Sequence, residues 1–344
     1  MRISTFSILF MVGCANKIDR FAIDNVLKKG MQEPDIQKGC ALGEAMSFPL
    51  KSLTKNSPNK AMVVAETTAA LCAELTAYAL DKEAAVQNMT IPYEHPNRIA
   101  IITDTRINAE RTHALAAQRF YNAFTYLEAE YGPLGEACPK IASKDESIFV
   151  VGIVAGTLSV LHDKASRNRV GIPMDMLNRI ARSASCVSNE DWWYTPMAIQ
   201  GSIWATIPGS GPQDIDPWEH LQLAAEKGAP TGVRVGWAMH NLIAENAGQT
   251  EQLILGVNGH LESLSTHAQN KEWAFLDAYG LFISEHKHDL YWINEKGHRA
   301  PSFGDWPKAE ENIDASDDDL FGEDPFGEDP FGTDEPQQTD STSQ

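Results

Sequence analysis

Apolar positions recur at three- and four-residue intervals along most of the chain, the period of helices that bury one face. The spacing predicts a short helix over 18–29, closed by Gly30, and a second over 35–55 with Cys40, Leu42, Ala45, Met46 and Leu50 on its apolar side. Pro49 lies inside the second, so a kink or a restart is expected there. Ser57-Pro58 opens an Ala-rich third helix reaching about Val86, whose small side chains let neighbours approach closely. The run Ile99-Ala-Ile-Ile102 reads as a short strand or a buried loop. A long helix follows over 108–131 and ends at Gly132-Pro133. Ser143 and Glu146 have capping-box spacing, which predicts a helix from there to about His162. Further helices are expected over 173–183, 191–205, 217–227, 232–247, 251–264 and 271–286, with Gly and Pro between them. About ten helices with short connections predict an all-α body, a tetratricopeptide-like hairpin array or solenoid over 35–305. Only Ala116, Phe120 and Ala123 match the tetratricopeptide spacing, and ordinary core packing explains three such residues.

Both ends depart from this pattern. Arg2 precedes an apolar run over 3–12, too short to span a membrane as a mature helix and patterned as a signal peptide over 1–13. The run closes with Met11-Val12-Gly13-Cys14, which resembles the lipobox of bacterial lipoproteins. That resemblance implies cleavage before Cys14, a diacylglyceryl group on its sulfur and an acyl group on its new N-terminus. Residues 14–34 then read as anchor and linker. Ala15 rather than Asp follows the cysteine, which by similarity to enterobacterial sorting implies the outer membrane, facing the periplasm. At the other end, residues 306–344 read as a disordered acidic tail in which Phe321-Gly-Glu-Asp-Pro, Phe326-Gly-Glu-Asp-Pro and Phe331-Gly-Thr-Asp recur every five residues.

Composition sharpens the division. The chain is 43% apolar and 22% charged, a globular balance, with a net charge of −19. Residues 309–344 hold 13 acidic residues and no Lys or Arg, while residues 1–308 hold 34 acidic and 28 basic, a balance of −6. Such acidity excludes a nucleic-acid partner recognised through its phosphates.

Beyond Cys14 there are four cysteines, and an exported chain holds such a set as two disulfides. Cys40 and Cys72 lie 17 and 15 residues from Ser57, so an antiparallel hairpin brings them level. The expected pairs are Cys40–Cys72 and, by elimination, Cys138–Cys186.

Catalytic motifs are sparse. His286-Lys-His288 at a helix end, and His220 near Glu219 and Glu226, are the candidate metal ligands, and neither has a ligand set's spacing, so no metal is assigned. No phosphate loop, nucleophile elbow or dinucleotide fingerprint occurs, and no cofactor is expected. The dense feature is aromatic: Trp192-Trp193-Tyr194 with Trp204, eleven residues beyond Trp193 and thus able to share a helix face with it. Arg179, Arg182 and Arg234 are candidate cations for an acidic ligand.

Four segments together resemble the T-component (TatT-like) lipoproteins of TRAP transporters. They are Phe48-Pro49-Leu50-Lys51 before Asn56-Ser57-Pro58, Arg119-Phe120-Tyr121 running to Leu127-Glu128, the Trp192-Trp193-Tyr194 to Trp204 stretch, and Pro217-Trp-Glu-His-Leu221 to Gly228. The resemblance covers about 36–290. It implies tetratricopeptide-like helix pairs, self-assembly, and a periplasmic solute-binding partner docked around a ligand groove. Tyr121, Trp192, Trp193 and Trp204 are then the candidate ligand-binding residues. The expected function is a lipid-anchored periplasmic binding or scaffold protein, an accessory of solute uptake. The alternatives are an envelope-assembly lipoprotein without a small ligand and a periplasmic enzyme with an unrecognised site. An aromatic-lined cavity with converging polar groups marks the first, and three or more convergent carboxylates or imidazoles in a cleft mark the last.

Overall fold

A computed structural model describes residues 19–53 and 60–307. Among these there are eleven helices and no strand: α1 (19–30, with a π-helical turn at Ile23–Leu27), α2 (Ile36–Leu53), α3 (Lys60–Thr90), α4 (Arg98–Tyr131), α5 (Glu146–Ala165), α6 (Asp175–Ala184), α7 (Thr195–Thr206), α8 (Pro217–Gly228), α9 (Val235–Asn246), α10 (Thr250–Thr266) and α11 (Ala274–Lys296). The fold is all-α, as the periodicity predicts. Cys14, the signal segment, the Asn56-Ser57-Pro58 turn and the acidic repeats lie outside the described residues.

The long antiparallel pair α3–α4 is the backbone of the array, with α2 on one side and α5 on the other. The later helices pack as neighbours, α7 on α8 and α9 against both α10 and α11, and α11 returns to touch α3. Small residues set this closeness. Ala65, Ala70 and Ala77 of α3 and Ala116, Ala117 and Ala123 of α4 are fully buried. On α5, a Cβ at Gly152 would stand 2.7 Å from Leu127, and one at Gly156 2.5 Å from Phe124. Phe120, Phe124 and Phe149 fill the seam they leave, each adding about 1.5–3 kcal/mol by burial. The tetratricopeptide-spaced Ala116, Phe120 and Ala123 are members of this core.

The cysteines stand at disulfide distance in the two expected pairs. Cys40–Cys72 joins α2 to α3 with Cα atoms 5.2 Å apart, and Cys138–Cys186 joins the loop after α4 to the segment after α6 at 5.3 Å.

The helix predicted over 18–29 does form, described from Asp19 to Gly30 inside the segment also read as anchor and linker, with Ala22, Ile23 and Leu27 in the core. Several local expectations fail, each for a tertiary reason. Helix α2 continues through Pro49 to Leu53 without restarting. The Ile99–Ile102 run is the first turn of α4, with only Ile102 buried. There the Arg98 guanidinium reaches back to the carbonyls of Asn88 and Ile91 freed at the end of α3. The capping box does not form: Ser143–Asp145 is a 3-10 turn, and the buried Asp145 carboxylate is held by Arg20 at 2.9 Å and Lys60 at 2.7 Å. Helix α7 starts at Thr195, because Trp193 and Tyr194 sit in left-handed backbone at φ 54° and 56°. Trp193 therefore shares no helix face with Trp204. Helix α11 runs on to Lys296, since Trp292 and Ile293 are buried, so His286 and His288 are mid-helix residues.

Candidate functional site

Helix α3 carries Glu74, Tyr78 and Asp81 spaced four and three residues apart and so on one face. His113 of α4, His162 of α5 and Tyr279 of α11 come up against that face. Tyr279 Oη donates to Glu74 Oε2 at 2.7 Å, Glu74 Oε1 lies 3.0 Å from His162 Nε2, and the Nδ1 atoms of His162 and His113 are 2.8 Å apart. His113 Nε2 meets Asp81 Oδ2 at 2.8 Å. The result is one unbroken hydrogen-bonded chain across four helices. Glu74 is fully buried, His162 and His113 are nearly so, and the Asp81 side chain at the other end is 32% exposed.

Proton counting constrains this chain. The two imidazole–carboxylate contacts and the imidazole–imidazole contact each hold one proton, three in all. Two neutral imidazoles beside two carboxylates supply only two. The four groups therefore carry one extra proton and a net charge of −1. Burial lowers the His162 pKa, against the opposing pull of Glu74.

The Tyr78 ring packs among these groups. It is stacked on His286 at 4.0 Å, and Lys287 Nζ lies 5.4 Å from its centroid. Burial first, then nearby Glu74, raises the Tyr78 phenol well above its ordinary range. Burial, then Lys287, drives His286 well down, so its ring is neutral. Lys287 itself is held by Glu245 at 2.8 Å. Asp81, His113, His162, Glu245 and Lys287 line an open polar cleft of about 240 Å³.

The inner end of the chain meets a different environment. Two small apolar cavities, of about 50 and 30 Å³, share Val154, Leu158, Val235 and Tyr279 in their walls, and no charged residue lines either. Thr195 adds its side chain to the larger and Ser202 to the smaller. Both are almost fully buried, and neither hydroxyl has a hydrogen-bond partner among the described residues. A buried orphan hydroxyl costs about 1–3 kcal/mol.

The aromatic candidates divide. Trp193 lines the larger cavity and, with Trp192 and Trp273, forms a cluster whose ring centroids are 4.9 to 6.1 Å apart. Trp192 Nε1 donates to Glu146 at 3.0 Å. Trp204 lies apart against His220 at 4.8 Å, and Tyr121 packs at the edge of the main core. The arginines read as free cations are engaged. Buried Arg234 bonds Asp277 at 2.7 Å, Ser263 at 3.0 Å and the His267 carbonyl, Arg179 bonds Glu128, and Arg182 bonds the Gly135 carbonyl. His288 turns to the Asp305 carbonyl, away from His286. Among the described residues no group of three or more His, Cys, Asp or Glu side chains is placed to hold a metal.

Sequence reading missed Glu74, Asp81, His113, His162, Tyr279, Thr195 and Ser202. The one signal available was the polar row at four- and three-residue spacing on an otherwise alanine-rich helix. No protein-family model, curated protein or solved structure matches this chain.

Proposed function

We propose that this protein is a lipid-anchored, periplasm-facing lipoprotein of the bacterial outer membrane that binds a small ligand, apolar in body with one polar end, as an accessory of solute uptake. The anchor is Cys14, as the lipobox resemblance implies. The observation that supports the binding reading is the pair of apolar cavities that share Val154, Leu158, Val235 and Tyr279 in their walls, with the unpartnered hydroxyls of Thr195 and Ser202 buried beside them. Dry apolar cavities need no hydroxyls, and well-packed cores satisfy the ones they have. At about 50 and 30 Å³ each cavity is well below the roughly 150 Å³ that holds a benzene, so a ligand larger than two or three heavy atoms binds only where the shared wall gives way.

Thermal unfolding with 1-butanol and butyramide tests this. Ligand at 100 times its Kd stabilises the fold by about 2.7 kcal/mol. Leu158→Phe, which fills the shared wall, abolishes that stabilisation while the variant still folds. No shift with either compound would sink the reading.

A second reading, a lipoprotein that docks a protein, draws on a different feature. Met89, Tyr93 and Ile99 are 46, 86 and 78% exposed around the α3–α4 turn. Helix α3 has 31 residues, so this turn lies about 46 Å from the helix start, where Asp19 accepts from the Ala61 amide. An apolar tip at that distance from the anchored end suits a periplasmic solute-binding partner or a second copy. Pull-downs that lose their partner with Tyr93→Ser plus Ile99→Ser would favour it. An enzyme is the third class, and the cleft meets its mark in composition. There the carboxylates and imidazoles are engaged with one another, and the Tyr78 side chain lines the same cleft.

A further inference from the structure

Helices α1, α2 and α3 meet at one end of the array, far from the α3–α4 turn. Asp19 accepts a hydrogen bond from the Ala61 amide, which fixes the start of α1 at the first turn of α3. Helix α2 runs antiparallel to α3 in a register set by the Cys40–Cys72 bond and by Gly43 against Thr68, so Phe48 comes level with about residue 63. Phe21 and Phe48 therefore both stand within about one turn of the start of α3. Phenylalanine is among the residues most often buried, yet these two are 63% and 77% exposed. No other phenylalanine among the described residues is exposed. Charge is sorted at the same end. An open cleft of about 300 Å³ is lined by Asp19, Arg20, Lys60, Glu130, Lys144 and Asp145. Its carboxylates face inward: Asp19 and Asp145 are buried, and Glu130 lies 3.2 Å from Lys60. Its cations face outward: Lys144 is exposed and the Arg20 side chain is 37% exposed. Lys51, three residues beyond Phe48 on α2, is exposed as well. Asp24, paired with Arg20 at 2.7 Å, is the exposed carboxylate beside them.

Cys14 stands five residues before Asp19, a reach of at most about 18 Å. A lipid on its sulfur therefore holds this end against the bilayer, and not the tip that carries Tyr93. Resting on the lipid-anchor reading above, we propose that this end is a membrane-docking face. Phe21 and Phe48 enter the boundary between headgroups and acyl chains, while Arg20, Lys51 and Lys144 meet lipid phosphates. Apolar insertion beside cations is the second signal that turns a tether into a fixed orientation. The α3–α4 pair then points away from the bilayer, with the turn at its far end about 46 Å out. Two phenylalanines and three cations hold weakly by themselves, so a chain without its lipid still leaves the membrane.

Hydroxyl-radical footprinting reads this face without any substitution in it. The acylated protein is added to preformed vesicles of phosphatidylethanolamine and phosphatidylglycerol, and oxidation of Phe21, Phe48 and Tyr93 is followed by mass spectrometry. The reference is the soluble Cys14→Ser chain. Phe21 and Phe48 are expected to be oxidised at least about fivefold less on vesicles than in that reference, with Tyr93 unchanged. Phe48→Asp, at an exposed position, keeps the acyl chains and is expected to return Phe21 to within about twofold of its soluble value. Full reactivity of both phenylalanines on a protein whose mass shows its acyl groups overturns the docking face and spares the anchor. So does Phe21 that stays protected in the Phe48→Asp variant. Protection in the soluble chain that grows with protein concentration overturns the lipid surface in favour of a second copy. A protein with no acyl groups that stays off the vesicles overturns anchor and face together.

Discussion

At the scale of single residues, the molecule tolerates several groups that a purely structural core would discard. Thr195 and Ser202 keep hydroxyls with no partner. Thr195→Val, similar in shape, is expected to raise the stability of the ligand-free protein by up to about 1 kcal/mol and to weaken ligand binding. Denaturant melts with and without 1-butanol check both halves. Buried imidazoles set a pH limit. Burial lowers His240 to about 4, opposed in part by the nearby Gln252 side chain, and burial reinforced by Arg234 lowers His260 to about 3. Both rings are neutral in the fold, while the unfolded chain takes up protons below about 6.5. Stability is therefore complete above pH 6.5 and falls as pH drops toward 4 and then 3, by about 1.4 kcal/mol per unit of displaced pKa. A melting temperature flat between pH 6.5 and 4 would contradict this, and His260→Gln should flatten the acid limb.

Between elements, a few joints carry the array. Arg234 opens α9, and its guanidinium and backbone amide bind Asp277 of α11 while its remaining donors reach Ser263 and His267 at the end of α10. The bonds to Asp277 and Ser263 lie between 2.7 and 3.1 Å. Asp277→Ala leaves a buried guanidinium uncompensated and is expected to cost about 3–5 kcal/mol, measurable as a lower denaturation midpoint. The paired change to Met at 234 and Leu at 277 should recover most of it. The same joint explains why Arg234 is no ligand cation, although its isolated charge suggested one. Asp163 similarly ties down the loop after α5, accepting from the amides of Val170 and Ile172.

For the whole molecule, covalent links reinforce the packing. Cys40–Cys72 and Cys138–Cys186 span 32 and 48 residues of sequence, so loop closure predicts about 4 kcal/mol from each. Unfolding in a reductant should show a markedly lower midpoint, and an unchanged one would count against both bonds. Cys14→Ser should release the protein from membranes; retention there would count against the anchor. Much of the architecture was legible beforehand, because helical period, helix-ending Gly-Pro pairs and hairpin symmetry are local properties that survive in any packing. They yielded the all-α class, most helix bounds and two cysteine pairs at disulfide distance. The candidate site was not legible. His113 and His162 are 49 residues apart, Glu74 and His162 are 88 apart, and Glu74 and Tyr279 are 205 apart. Each reads in its own helix as an isolated polar residue on an apolar face. Which helix lies beside which follows from side-chain volumes summed over every interface at once, with Gly152, Gly156 and the alanines of α3 fixing the closest approaches. Periodicity thus decided that there would be helices with buried faces, and only their mutual packing decided that the polar residues on those faces would meet.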